Sequence, residues 1–120
     1  MPLKILIVDD DDLTLKLLTR RLESAGYKVI AAQTGEGAMK QVNLGKPDII
    51  LMDILLPDMQ GSDAVKMLRE RTDISKTRII FLSSIISSDG ENEQGIKVDG
   101  TFYPAIAKPI DFRLLKNLLD

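Results

Sequence analysis

The chain of 120 residues contains no cysteine and no histidine. The first absence excludes disulfides, thiol nucleophiles and thiolate metal sites. The second removes the commonest general base and the commonest zinc ligand. A basic excess is missing too: 16 Lys and Arg stand against 18 Asp and Glu, for a net charge of −2. So balanced a domain has no electrostatic footprint for nucleic acid, and no direct nucleic-acid partner is expected. No apolar run approaches the length that spans a bilayer, so no membrane partner is expected either. Met1-Pro2-Leu3-Lys4 leads straight into an apolar run rather than into a secretory signal, which makes the cytoplasm the expected location. Internal repeats and low-complexity tracts are also missing.

What is present suits one globular domain over residues 1–120, with 44% hydrophobic and 28% charged residues. Short apolar runs recur at Leu3–Val8, Lys28–Ala32, Ile49–Met52 and Arg78–Leu82, with a weaker one at Phe102–Ala107. Such runs read as buried parallel strands. Between them lie amphipathic stretches. Leu15, Leu18 and Leu22 share one face of a helix over residues 13–25, with Leu13 and Leu17 beside it, an acidic cap at Asp11 or Asp12, and Gly26 past its end. Thr34 caps a second helix that Gly45 and Pro47 end, and Ser62 opens a third. The β-α-β-α-β-α-β alternation predicts right-handed crossovers and a doubly wound α/β sheet.

The rhythm then breaks. Residues 85–103 include a polar run from Ser87 to Gly95 through which no helical apolar stripe can be drawn. A loop or one short irregular helical turn is expected there. Pro104 suits an edge strand. Asp111 caps a last helix with Phe112, Leu115, Leu118 and Leu119 inward. Because that helix runs to Asp120, an output domain is free to follow.

The chemistry sits at the ends of the runs. Asp9 and Asp10 follow the first, Asp53 the third, and Lys108 stands before Pro109 after the last. Parallel strands share one carboxyl edge, where ligands bind in open α/β sheets. Three carboxylates gathered there repel one another and call for a divalent cation and a lysine. Each residue also has a plainer reading. Asp9–Asp12 can simply cap a helix, Asp53 can cap the turn before Pro57, Ser83 can be a turn residue and Lys108 can be solvated. Their joint occurrence, in order and at strand ends, argues against coincidence.

With Val8-Asp9-Asp10, Met52-Asp53, Pro57-Asp58-Met59-Gln60-Gly61, Ser83 and Lys108-Pro109 in place, the chain resembles the receiver domains of two-component response regulators over nearly its whole length. The resemblance implies a flavodoxin-like five-stranded parallel sheet of order 2-1-3-4-5, here with a degraded or missing fourth helix. It implies that Asp53 accepts a phosphoryl group from a sensor histidine kinase or histidine phosphotransfer protein. It implies that Mg²⁺, or Mn²⁺ in its place, is held by Asp10, Asp53 and the Leu55 carbonyl, with Asp9 acting through water. Oxygen donors of this kind suit a hard cation. Lys108 and Ser83 would bind phosphoryl oxygens, Pro109 would follow a cis peptide bond, and a downstream output domain, an output protein or a homodimer would read the state.

The chain departs from the family in three places. Ala105 stands where receivers often carry an aromatic residue. Ser83 and Lys108 are 25 positions apart, slightly more than the family's spacing. Leu55 and Ile85, two positions beyond Asp53 and Ser83, are apolar and unable to orient a water. Two other functions compete. A phosphorylation-independent pseudo-receiver usually loses an acid or the lysine, and all are kept here. A haloacid-dehalogenase-like phosphatase would use Asp9-Asp10-Asp11 after the first strand and leave Asp53 unexplained. A flavodoxin would need a phosphate-cradling loop where residues 9–14 are acidic.

Overall fold

The computed structural model describes residues 3–84 and 95–119. Its elements are β1 (Lys4–Val8), α1 (Asp12–Ser24), β2 (Lys28–Ala32), α2 (Gly35–Gly45), β3 (Ile49–Asp53), α3 (Gly61–Arg71), β4 (Arg78–Ser83), β5 (Gly95–Val98), β6 (Thr101–Ala107) and α4 (Phe112–Leu119). Among the described residues no helix is long and apolar enough to cross a membrane.

Side-chain alternation along the strands builds two cores, one on each face of the sheet. Leu6, Val8, Ile50, Met52 and Phe81 meet Ala38, Met39 and Val42 of α2 and Ala64, Val65 and Leu68 of α3. Ile5, Ile7, Ile49, Leu51, Ile80 and Leu82 meet Leu15, Leu18 and Leu22 of α1 and Leu115 and Leu119 of α4. Both faces of the central strands are therefore apolar, which is why β1 and β3 read as unbroken apolar runs.

The sheet order is β2-β1-β3-β4-β6-β5. Its first five members pair in parallel, through registers such as Leu6↔Ile30, Ile7↔Leu51, Leu51↔Ile80 and Leu82↔Ile106. This is the expected five-stranded order. The sixth strand corrects the expectation of a loop or helical turn over the described part of residues 85–103; residues 85–94 lie outside the described residues. β5 pairs antiparallel with β6 from Gly95↔Pro104 to Val98↔Thr101. Asp99 and Gly100 both have positive φ, 51° and 84°, as a two-residue hairpin loop requires and as an Asp-Gly pair favours. Ile96 and Val98 alternate with Lys97 and place their side chains in the core layer of α3. A period of two over only four residues holds this segment, with no helical stripe.

The hairpin also corrects the placing of Pro104, which lies in an interior strand. The β4 ladder begins one residue later, at Phe81↔Ala105, so the missing proline N–H removes no bond from it. The helix caps follow expectation at three points. Asp11 accepts from Thr14 N–H at 3.4 Å, Thr34 from Gly37 N–H at 2.9 Å and Asp111 from Arg113 N–H at 2.9 Å. α3 instead opens at Gly61, one residue before Ser62, and has no side-chain cap.

Candidate functional site

Four parallel strands deliver the site. β1 ends at Val8, and the next backbone N–H, that of Asp9, donates to Ala32 O at 3.1 Å. This bond holds Asp9 at the carboxyl edge, where its side chain is fully buried (0% exposed). Its Oδ1 accepts the Asp11 N–H at 3.0 Å. Asp53 is the last residue of β3 and only 7% exposed, whereas Asp10 is exposed. One carboxylate oxygen from each of Asp9, Asp10 and Asp53 lies within 4.8 Å of the others. Lys108, just beyond β6, reaches into the cluster with Nζ 2.7 Å from Asp9 Oδ2 and 3.3 Å from Asp53 Oδ2. Its backbone N–H donates to Ser83 O at 2.7 Å. This bond continues the Ser83↔Ala107 register and sets Lys108 beside the end of β4. Ser83 is fully buried, and the Lys108–Pro109 peptide bond is cis.

The electrostatics follow from crowding. Burial pushes the Asp53 carboxyl above its ordinary value of 3.8; the Asp9 charge adds to the rise, and Lys108 offsets part of it. Burial opposes the charge on Lys108, yet the Asp9 and Asp53 carboxylates outweigh it and hold its pKa above 10.5. One ammonium thus faces two of the three clustered carboxylates. Asp9 Oδ2, fully buried, faces the Lys108 ammonium at 2.7 Å as its charged partner, so two carboxylates already share one cation and a third lies beside them. With oxygen donors only, the residues present fit a hard divalent cation such as Mg²⁺.

Leu55, whose carbonyl is the remaining expected donor, lies in the loop joining β3 to α3. That loop closes on itself through a Leu55–Gln60 antiparallel bridge, Leu56 N–H to Met59 O at 3.0 Å and Gly61 N–H to Ile54 O at 2.6 Å. Ala105, at the position where receivers often have a ring, is buried in the α3-side layer. Two residues upstream on the same face, Tyr103 packs edge-on against Phe81 with ring centroids 5.9 Å apart, under the Arg69 guanidinium.

Two features of the site region escape sequence reading. Asp58 accepts the N–H groups of Gly35 and Glu36, at 2.8 and 3.1 Å, and the Gly35 bond leads in holding its carboxyl below the ordinary 3.8. No local pattern signals a pairing across 22 or 23 residues. In addition, Leu13 and Leu17, expected beside the inward face of α1, are 63% and 54% exposed. They line a groove of about 310 Å³ with Lys108, Ile110 and Phe112.

Comparison with known proteins places the chain in a family. The family model described as response regulator receiver domain matches residues 5–120. The polar-differentiation response regulator DivK of Brucella anthropi is 31% identical over 110 residues, covering 92% of this chain and 87% of that protein. Protein PilH of Pseudomonas aeruginosa is 31% identical over 120 residues, covering 98% and 94%. The alkaline phosphatase synthesis transcriptional regulatory protein PhoP of Bacillus subtilis is 44% identical over 68 residues, which is 57% of this chain but 28% of that longer protein. The crystal structure of a response regulator from Chloroflexus aurantiacus superposes with a TM-score of 0.82 at 30% identity, covering 99% of this chain and 95% of that one. The chain therefore belongs to the response regulator receiver family, whose members are signalling domains rather than conventional enzymes.

Proposed function

We propose that this receiver domain takes a phosphoryl group onto Asp53 from a phosphohistidine on a sensor histidine kinase or histidine phosphotransfer protein, and that phosphorylation changes which output domain or protein it binds. The observation that carries the reading is Asp53 at the end of β3 with the Lys108 ammonium 3.3 Å away and the Asp9 and Asp10 carboxylates beside it. In the transfer, an Asp53 oxygen forms the new O–P bond as the P–N bond of the donor breaks, and the imidazole leaves with the electron pair. The product is an acyl phosphate, labile enough for a transient signal. Lys108, which bridges Asp9 and Asp53 at rest, turns to a phosphoryl oxygen; the Ser83 hydroxyl donates to another. Asp10, Asp53 and the Leu55 carbonyl would hold Mg²⁺ or Mn²⁺, with Asp9 acting through water. Such an ion, when bound, neutralises charge on the phosphoryl oxygens. Leu55 offers an attacking water no polar group, which favours a longer-lived product. The groove of Leu13, Leu17, Ile110 and Phe112 opens beside Lys108, so the phosphodonor protein covers it when its histidine reaches Asp53. On this reading the domain works in the cytoplasm, and an effector domain beyond residue 120 is one form of its output.

Intact mass after incubation with acetyl phosphate tests the proposal. A gain of about 80 Da, one phosphoryl unit, is expected with Mg²⁺ and is lost on chelation or in Asp53→Asn. An undiminished gain in Asp53→Asn would refute the assignment. No gain in the unaltered protein would favour phosphorylation-independent binding, and steady turnover of p-nitrophenyl phosphate would favour a phosphatase.

A second expectation concerns charge. Asp10→Ala removes one of three crowded acids, so stability without metal should hold or rise, while the stabilisation conferred by Mg²⁺ disappears. Thermal melts with and without Mg²⁺ check both halves. If Asp10→Ala gains as much from Mg²⁺ as the parent does, Asp10 is not a ligand.

A further inference from the structure

The loop from Ile54 to Gly61 is anchored at both ends of its span. At its base, Ile54 N–H donates to Leu82 O at 3.1 Å and Gly61 N–H to Ile54 O at 2.6 Å. At its tip, Asp58 leaves the loop altogether and binds α2. Its Oδ1 accepts the Gly35 N–H and its Oδ2 the Glu36 N–H. These are two of the first helical N–H groups, which no carbonyl of the helix can reach. Thr34 accepts from Gly37, the next in line. Beside Asp58, Met59 lies so close to Gly35 that a Cβ there would stand 2.3 Å from its Sδ. The tip is thus held by a pair of charge-assisted hydrogen bonds and a close apolar contact. Leu55, with its exposed side chain, lies between base and tip.

We propose that Asp58 is a positioning residue for the metal. By capping α2 from 22 and 23 residues away, it fixes the loop backbone that presents the Leu55 carbonyl. The inference rests on the metal reading above and extends it to a residue that does not touch the ion. A backbone donor contributes to affinity only as far as its position is set before the ion arrives, because ordering a loop on binding subtracts from the free energy gained. A carboxylate is the side chain best able to hold the tip, since it accepts two N–H bonds at the positive end of a helix. The coupling is reciprocal: occupancy of the metal site steadies the N-terminus of α2, so the helix start reports the state of the site.

The test compares Mg²⁺ affinity, by titration calorimetry, in the unaltered chain and in Asp58→Ala, Asp58→Asn and Thr34→Ala. Asp58→Ala should bind Mg²⁺ about tenfold more weakly, the usual scale for losing a group that orients a ligand. Asp58→Asn keeps one acceptor oxygen and should fall between. Thr34→Ala also removes a cap from α2 but leaves the loop pinned, so its Mg²⁺ affinity should stay at the parent value. In the parent, added Mg²⁺ should slow hydrogen exchange at the Gly35 and Glu36 amides, and in Asp58→Ala it should not. Parental Mg²⁺ affinity in both Asp58 variants, or an equal loss in Thr34→Ala, would overturn the proposal while leaving the metal site standing. Absence of Mg²⁺ binding by the unaltered protein would overturn the metal reading and this proposal with it.

Discussion

Lys108→Met is expected to be among the most destabilising single changes at the site at neutral pH, and to become milder in acid. Methionine keeps most of the apolar stem and removes only the charge that sits 2.7 Å from Asp9 and 3.3 Å from Asp53. Breaking a buried ion pair from one side leaves an uncompensated carboxylate, which costs about 3–5 kcal/mol when burial is complete. With the Lys108 side chain 19% exposed, about 2–4 kcal/mol is expected at pH 7. The sign of the pH dependence follows from the directions of the shifts. The folded pKa of Asp53 is raised above 3.8, so between the unfolded and folded values the native state binds more protons, and stability increases as pH falls through that window. Removing Lys108 removes a lowering influence on Asp53, so its pKa climbs further and the window widens upward. The raised pKa of Lys108 means that its own contribution is complete below its unfolded value and is lost only as pH rises through the folded one. The gap between parent and Lys108→Met is therefore full above the folded pKa that Asp53 has in the variant and narrows as pH falls through it. Urea unfolding across a pH series from neutral into acid checks this; a gap that is constant, or that widens in acid, would show that Lys108 does not act by neutralising Asp53.

Much of this site is legible in the chain because each strand announces its own end. An apolar run followed by Asp or Lys needs no knowledge of the rest of the fold, and parallel winding brings the ends together, so Asp9, Asp10, Asp53 and Lys108 could be named from order alone. The caps at Asp11, Thr34 and Asp111 were equally readable, because a cap bonds two or three residues ahead. What was not legible lies in pairings over distance and in very short elements. β5 offers only Ile96 and Val98 as an alternating pair, too few to outweigh the polar run before it, and an Asp99-Gly100 pair signals a hairpin only where alternating strands flank it on both sides. Leu13 and Leu17 are apolar residues of an amphipathic helix, and only the position of α4 reveals that they stay in solvent. The Asp58 cap of α2 joins segments more than twenty residues apart, and nothing local distinguishes it from an ordinary loop aspartate.

Gly61→Ala should slow phosphoryl uptake far more than its effect on stability alone would. A Cβ at Gly61 would stand 2.2 Å from the Asp53 carbonyl oxygen and 3.1 Å from Met52 Cγ. The first neighbour is backbone and cannot rotate away, so the end of β3 and the start of α3 must separate. Overpacking of this kind costs about 1–3 kcal/mol. The shift falls on the residue that carries the reacting carboxylate, and a misplacement of about 1 Å at a reacting group is worth on the order of a hundredfold in rate. Gly26→Ala supplies the control. Gly26 adopts φ +100° with nothing within 4 Å of an added Cβ, so alanine there suffers backbone strain of about 1 kcal/mol or somewhat more. It lies after α1 and before β2, at the opposite edge of the sheet from Asp53. Phosphorylation rates from acetyl phosphate, measured where all three proteins are fully folded, should fall at least tenfold in Gly61→Ala and stay at the parent value in Gly26→Ala. A parental rate in Gly61→Ala would mean that Asp53 tolerates displacement and that its placing at the strand end does not set the rate. Equal losses in the two variants would trace the effect to general destabilisation.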